Sequence, residues 1–254
     1  MTHNESPLFL RSLFDIPLRE RKHARTRLEL ERALIAKLQV KSFNSITVKE
    51  LAEEVSISEV TFFNYFPKKT DLIFYMLQMW VVQGYLFIEE DKCTTAWSKI
   101  CRFFDYAEKC VNEEPRVTME IMAFLATAFM EKDFADKMRA GENPHMFNEL
   151  TEAEWVMGLD LSGEVPQKIR EVSIYGLRVL LMPWIEQAIA KKELPENTPP
   201  LAVFFMLLAY FHGFSIMTAQ MKAMTSLCPQ MVENCCNLKD QLQILFEGIK
   251  QKYS

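Results

Sequence analysis

From Arg19 onward the apolar positions of the chain return at helical spacing. Leu30, Ala33, Leu34 and Leu38 fall on one face of a first helix, with Arg25, Glu29 and Arg32 elsewhere, and the pattern stops at Ser42-Phe43-Asn44-Ser45. Thr47 and Glu50 have the spacing of a capping box ahead of a short helix, Val48 to Val55, whose inward positions are Val48, Leu51, Ala52 and Val55. Ser56-Ile57 makes a tight turn. Ser58 caps a second short helix, Glu59 to Tyr65, and Pro67 ends it. A long helix follows from Lys69 to Ile88. Beyond it the pattern predicts helices over 94–112, 116–139, 145–157, 166–191, 200–223 and 230–252, with Pro115, Pro144, Pro166, Pro195, Pro199, Pro200 and Pro229 between them or at their starts. Residues 1–18, which hold Pro7 and Pro17, read as an arm. The predicted fold class is all-α.

Composition sharpens this picture. An apolar share of 49% is enough for a sizeable core, and 7 Gly in 254 residues argue against strand-turn-strand architecture and glycine-rich phosphate loops. The net charge of −5 is unevenly placed. Residues 1–75 carry 12 Lys/Arg against 10 Asp/Glu, a net of +2, and the remainder 17 against 24, a net of −7. A less acidic head on an acidic body suits a protein that meets DNA at one end.

The six cysteines, Cys93, Cys101, Cys110, Cys228, Cys235 and Cys236, form no C-x-x-C pair and no zinc-like cluster with histidine, so reduced thiols in a cytoplasmic protein are expected, with no metal and no cofactor. The first residues, MTHNESPLFLRSLFDIPLRER, interrupt every apolar run with charge and do not read as a secretory signal. Leu201 to Ala219 is long enough to span a bilayer and lacks formal charge, but it contains His212, Gly213, Ser215 and Thr218 and stands alone. It is predicted to be a buried bundle helix, with no membrane partner. Four His, at 3, 23, 145 and 212, and no nucleophile or phosphate-loop signature leave no basis for an enzyme.

Two short helices joined by a tight turn after a longer helix is the helix-turn-helix arrangement, in which the second helix lies in the major groove. The stretch from Arg19 to Leu72 resembles the DNA-binding region of the TetR family of bacterial repressors, most specifically at SISEVTFFNYFPKKTDL. The resemblance implies a helix-turn-helix domain over 19–70 and a helical regulatory and dimerisation domain over 71–254. It implies phosphate contacts from Thr61, Phe63, Tyr65 and Lys69. Phe63 departs from the more usual Tyr and cannot donate; packing against sugar or against the helix core are its open alternatives. Ser56 and Ser42 stand where glycine is common, so each is expected in a left-handed or alternative turn conformation.

Base reading is expected from Glu59, Val60, Thr61 and Asn64, with Lys49 from the preceding helix. Asn pairs an adenine edge, Glu accepts from cytosine, Val meets a thymine methyl and Lys suits guanine. Leu51, Ala52, Val55, Ile57, Phe62 and Phe66 read as core. Arg19, Arg21, Lys22, Arg25 and Arg27 form a basic start to the first helix that suits flanking phosphates; a solvated charged face is the alternative.

In the body, the resemblance implies that the last two helices form a four-helix interface in a homodimer. Leu201, Phe204, Phe205, Leu208, Phe211, Ile216, Leu242, Leu245, Phe246 and Ile249 supply the apolar surface for it or for the chain's own core. Pro183 inside a helical pattern is expected to kink its helix. Tyr175, Arg178, Trp184 and His212 are the expected lining groups for a small, largely apolar effector that releases double-stranded DNA. The competing reading is a helical dimeric interaction protein that keeps this fold without specific DNA binding.

Overall fold

The computed structural model describes residues 15–89, 91, 93–128, 149–161, 166–225 and 238–253. Among them there are eleven α-helices and no strand, as the all-α expectation has it. In chain order they are α1 (Leu18–Leu38), α2 (Val48–Glu54), α3 (Glu59–Tyr65), α4 (Lys69–Glu89), α5 (Ala96–Glu113), α6 (Pro115–Ala128), α7 (Glu152–Leu159), α8 (Gln167–Tyr175), α9 (Leu177–Ala190), α10 (Pro200–Thr225) and α11 (Leu238–Tyr253), with a single 3-10 turn at Phe43–Ser45 after α1. The parts of the expected helices at 129–139, 145–148 and 230–237, and Cys228, Cys235 and Cys236, lie outside the described residues.

Two helices differ from expectation for local reasons. The helix expected over 166–191 is two helices. Gly176 stands between them at φ 66°, ψ −148°, a backbone region open to glycine and closed to nearly every other residue. Pro183 sits inside α9. The helix expected over 145–157 begins at Glu152, because Thr151 and Glu154 close a capping box there.

The chain divides into two compact units. The first comprises Met1–Gln83 and Asn143–Gly176, so the unit that holds the helix-turn-helix is larger than residues 19–70 and includes α7 and α8. Its core is built from Ala24, Leu28, Leu30 and Leu34 of α1, Leu51 and Ala52 of α2, Phe62 of α3, Leu72, Ile73, Met76 and Met79 of α4, and Trp155 of α7, all buried. Gly158 lets α7 settle close: a Cβ there would lie 2.7 Å from Met79 Cε and 2.8 Å from Leu28 Cδ2. Gln78 ties α4 to α8, its amide donating to the Ser173 hydroxyl at 2.8 Å and carbonyl at 3.1 Å.

The second unit comprises Gly84–Glu142 and Leu177–Ser254. Here α5 presents Trp97, Ile100, Phe103, Phe104, Ala107 and Val111 inward, and α9, α10 and α11 contribute Leu181, Trp184, Phe204, Leu207, Phe211, Leu242, Phe246 and Ile249. Glu193 caps α5 from outside it, accepting from the amides of Ala96 at 3.0 Å and Trp97 at 2.9 Å, so a carboxylate sits on the positive end of that helix. Phe246, offered by the sequence as an interface residue, stacks on Trp97 at 4.3 Å and is core. By length and apolar content α4 and α10 could each cross a membrane; in this fold α4 buries Leu72, Ile73, Met76, Met79, Val82 and Ile88, and α10 buries Val203, Phe204, Leu207 and Phe211.

Candidate nucleic-acid interface

The α2–turn–α3 segment is built from its own sequence. Thr47 Oγ1 accepts from the Glu50 amide at 3.2 Å and Glu50 Oε2 accepts from the Thr47 amide at 2.9 Å, which fixes where α2 begins. Lys41 also pairs with Glu50, and together these contacts hold the Glu50 carboxyl down at about 2, the Lys41 bond being the largest cause. At the other end Ser56 is left-handed, at φ 58°. Its amide bonds to Glu53 O at 3.1 Å and that of Ile57 to Ala52 O at 2.9 Å, the paired closure of a Schellman turn. Serine there bears a modest strain that glycine would avoid. Ser42, the other glycine-like position, is extended instead, at φ −70°, ψ 150°. Ser58 then caps α3, accepting from the Thr61 amide at 3.1 Å.

Phe62 and Phe66 root α3 in the core, as expected, and Leu51 and Ala52 do the same for α2; Val55 and Ile57 are partly buried. Outward lie Glu59, Val60, Phe63 and Asn64. Phe63 is 46% exposed, with its ring edge-on to that of Phe62 at 5.5 Å. Thr61 is half-covered, its hydroxyl 2.8 Å from that of Ser58. The Tyr65 ring lies 4.8 Å from the His23 ring of α1. Burial holds the His23 imidazole below its usual range, with nearby Arg27 acting the same way. Lys49 is exposed and 3.9 Å from Glu53, a surface pairing too weak to restrain it.

Lys69, expected at a phosphate, also makes contacts within the protein. Its ammonium donates to Phe43 O and Ile46 O, both at 2.8 Å, and lies 4.3 Å from the centre of the Phe43 ring. Burial lowers its pKa. Two of its three N–H groups therefore brace the connection between α1 and α2.

Arg27 is a correction. Grouped by sequence with a basic helix start, it is buried, 2.9 Å from Glu154 Oε1, with its guanidinium 4.2 Å from the Tyr75 ring centre and 5.1 Å from that of Phe66. Arg19, Lys22 and Arg25 are exposed and stay available to phosphates. Glu154 was missed because its partner lies far off in sequence. Its one legible signal is the Thr-x-x-Glu box at Thr151, where Oε2 accepts from the Thr151 amide at 2.8 Å. Tyr75 is part of the same cluster, and burial raises its phenol.

Glu31, partly buried one turn beyond Arg27, makes the head pH-sensitive. Burial pushes its carboxyl from 4.5 up to about 8, Arg32 opposing, Glu154 adding and Arg27 opposing. The folded chain then holds a proton that the unfolded chain releases near 4.5, so this contribution to stability is full below that value and is lost as pH rises through about 8. Thermal midpoints measured between pH 5 and 8.5 are expected to fall more steeply for the natural chain than for Glu31→Gln; parallel curves would refute this.

The proposed effector groups are distributed over α8, α9 and α10. Trp184 is buried in the second unit, and His212 is half-covered with Nδ1 2.7 Å from Leu208 O. Arg178 is exposed, and Tyr175 ends α8 of the first unit, its side chain outside the described set.

Residues 33–76 match the model of a family described as bacterial regulatory proteins, tetR family. No curated protein matches the chain. Among solved structures the chain is similar to a protein from Shewanella sp. PV-4 assigned to the tetR family transcription regulators, with 11% identity, 87% of this chain and 95% of that one covered, and a TM-score of 0.52. It also aligns with a TetR family transcriptional regulator from Chloroflexus aurantiacus J-10-fl (14% identity, 94% and 95% covered, TM-score 0.43) and a TetR transcriptional regulator from Rhodococcus sp. RHA1 (14%, 78% and 95%, 0.38). At these identities the Shewanella likeness speaks for the fold alone.

Proposed function

We propose that the chain is, through its helix-turn-helix head, a member of the tetR family of bacterial regulatory proteins whose model matches residues 33–76, and that it is a cytoplasmic repressor that binds an inverted-repeat operator as a homodimer and is released by a small, largely apolar effector. The observation that carries this reading is α3. Its inward side is locked into the core by Phe62 and its outward side presents Glu59, Val60, Phe63 and Asn64 to whatever the helix meets. A groove-reading helix would present such a face, although Glu59 also sits favourably in the first turn of α3, near the positive end of the helix. Lys49, Glu59, Val60 and Asn64 are assigned to bases. Thr61, Tyr65 and the remaining N–H of Lys69 are assigned to phosphates, flanked by Arg19, Lys22 and Arg25.

The dimer reading is supported by the wet apolar side of α10. Leu201, Phe205, Met206 and Met217 are exposed there, as is Ile244 on α11, large apolar side chains that a second copy of the chain would cover. Phe205→Glu should convert a sedimenting dimer to monomer. For the effector, Trp184, His212, Arg178 and Tyr175 are the groups to substitute first. Release would follow from tighter effector binding to the state that fits DNA less well, with α4, which runs through both units, as the covalent link.

The decisive experiment is selection from random-sequence duplexes with the full-length protein. An enriched inverted repeat is expected, with Asn64→Ala relaxing preference at one symmetric base position. Salt-dependent binding with no enriched sequence would leave a helical dimer that has lost specific recognition.

A further inference from the structure

This inference rests on the DNA-binding reading and names what the recognition helix reads. Val60 is 75% exposed and Phe63 46% exposed. Three residues apart on α3, they are neighbours on one helix face, with side chains about 5–6 Å apart. Phe63 is held in place from behind: its ring meets the fully buried Phe62 edge-on, at 5.5 Å and 87°. It has no hydroxyl and cannot serve a phosphate oxygen. The face is therefore apolar, oriented and wet, and on the DNA-binding reading it belongs to the helix that enters the groove. Along that floor the one apolar group is the 5-methyl of thymine.

We propose that Val60 and Phe63 are specificity-determining residues that close over thymine 5-methyl groups, so that each operator half-site carries thymine at one or two positions under α3. At about 3.4 Å per base pair, the spacing of the two side chains places those positions within about two base-pair steps of each other. The exposed Asn64, one turn from Val60, adds a bidentate donor and acceptor suited to an adenine edge in the same A·T-containing stretch. Val60 and Phe63 supply the methyl contact and Asn64 the hydrogen-bonded one.

Deoxyuridine lacks only the methyl group. The test takes the full-length protein and its selected operator, replaces thymine by deoxyuridine one symmetric pair of positions at a time, and measures affinity at fixed salt. Affinity is expected to fall about fourfold per lost contact at one or two positions, the value of one buried methyl. That sensitivity should vanish at the corresponding position in Val60→Ala or Phe63→Ala and persist in Phe63→Tyr. Val60 is 75% exposed, and thermal unfolding of Val60→Ala should match the natural chain; Phe63→Ala is judged at a temperature well below its own unfolding midpoint. An enriched operator that is indifferent to deoxyuridine at every thymine overturns this inference alone. So does sensitivity that survives in the double alanine variant. A selection that enriches nothing overturns the DNA-binding reading and this one with it.

Discussion

Glu154→Ala is expected to destabilise the protein by about 3–5 kcal/mol, the range found when one partner of a buried ion pair is removed. Glu154 is fully buried and does two jobs at once. Oε1 meets Arg27 at 2.9 Å, and Oε2 accepts from the amide and hydroxyl of Thr151 at 2.8 and 2.9 Å. Alanine removes the carboxylate half of the α7 capping box, leaving Thr151 Oγ1 to accept from the backbone amide, and strands a guanidinium in an aromatic slot against Tyr75 and Phe66 without its Glu154 partner. Glu154→Gln keeps most of the hydrogen bonding and loses the charge, and should fall between the two. A paired Arg27→Met, Glu154→Leu variant removes both charges and should recover much of the loss, since the price of a buried ion pair is the desolvation of its members. Denaturant unfolding of the four proteins measures this. A Glu154→Ala protein within about 1 kcal/mol of the natural chain would mean that the pair does not hold α1 to α7.

Lys69→Met is expected to lose about 2 kcal/mol in the absence of DNA, because the carbonyls of Phe43 and Ile46 each lose their ammonium partner in a partly buried site. Methionine keeps the stem and its packing on the Phe43 ring, so the loss reports the hydrogen bonds and the charge. A lysine serving phosphate alone would leave the unfolding of the free protein unchanged. DNA affinity should also drop, by more than one phosphate contact accounts for, while the salt slope falls by no more than about one. The excess arises because the segment braced by Lys69 precedes α2 directly. A free protein of natural stability, with a salt slope reduced by one, would return Lys69 to the backbone-contact role.

The helix-turn-helix was legible because its determinants are local. Thr47 with Glu50, Ser58 with Thr61, and Phe62 with Phe66 lie within four residues of each other, and short-range hydrogen bonding and helical spacing suffice to place them. The same logic located α5, α10 and the start of α6 to within a few residues. What escaped is long-range. Arg27 looks like any other member of a basic run until Glu154 arrives beside it, and Lys69 looks like an exposed helix-start lysine until the carbonyls of Phe43 and Ile46 close over it. Charged side chains are legible as charged; whether they face water depends on chain that folds back from elsewhere. Gly176 was passed over for a different reason. One glycine in a helical pattern seldom stops it, whereas Pro183 carries the stronger signal, yet it was the glycine that took the helix-ending conformation.

That α7 and α8 belong to the first unit bears on how this protein is made. During synthesis the segment through α4 leaves the ribosome long before Thr151 and Glu154 are translated. Until they emerge, α1 has no partner for Arg27 and no cover over Ala24 and Leu28. The helix-turn-helix thus leaves the ribosome before the segment that completes its unit, and its maturation waits on the translation of Gly84–Glu142 and then of α7. The dependence also limits modular exchange. A graft that joins residues 1–90 to a foreign partner carries the exposed face of α3 intact but strands a buried arginine. Such a chimera should bind DNA in proportion to how well its new partner supplies a carboxylate at the place of Glu154.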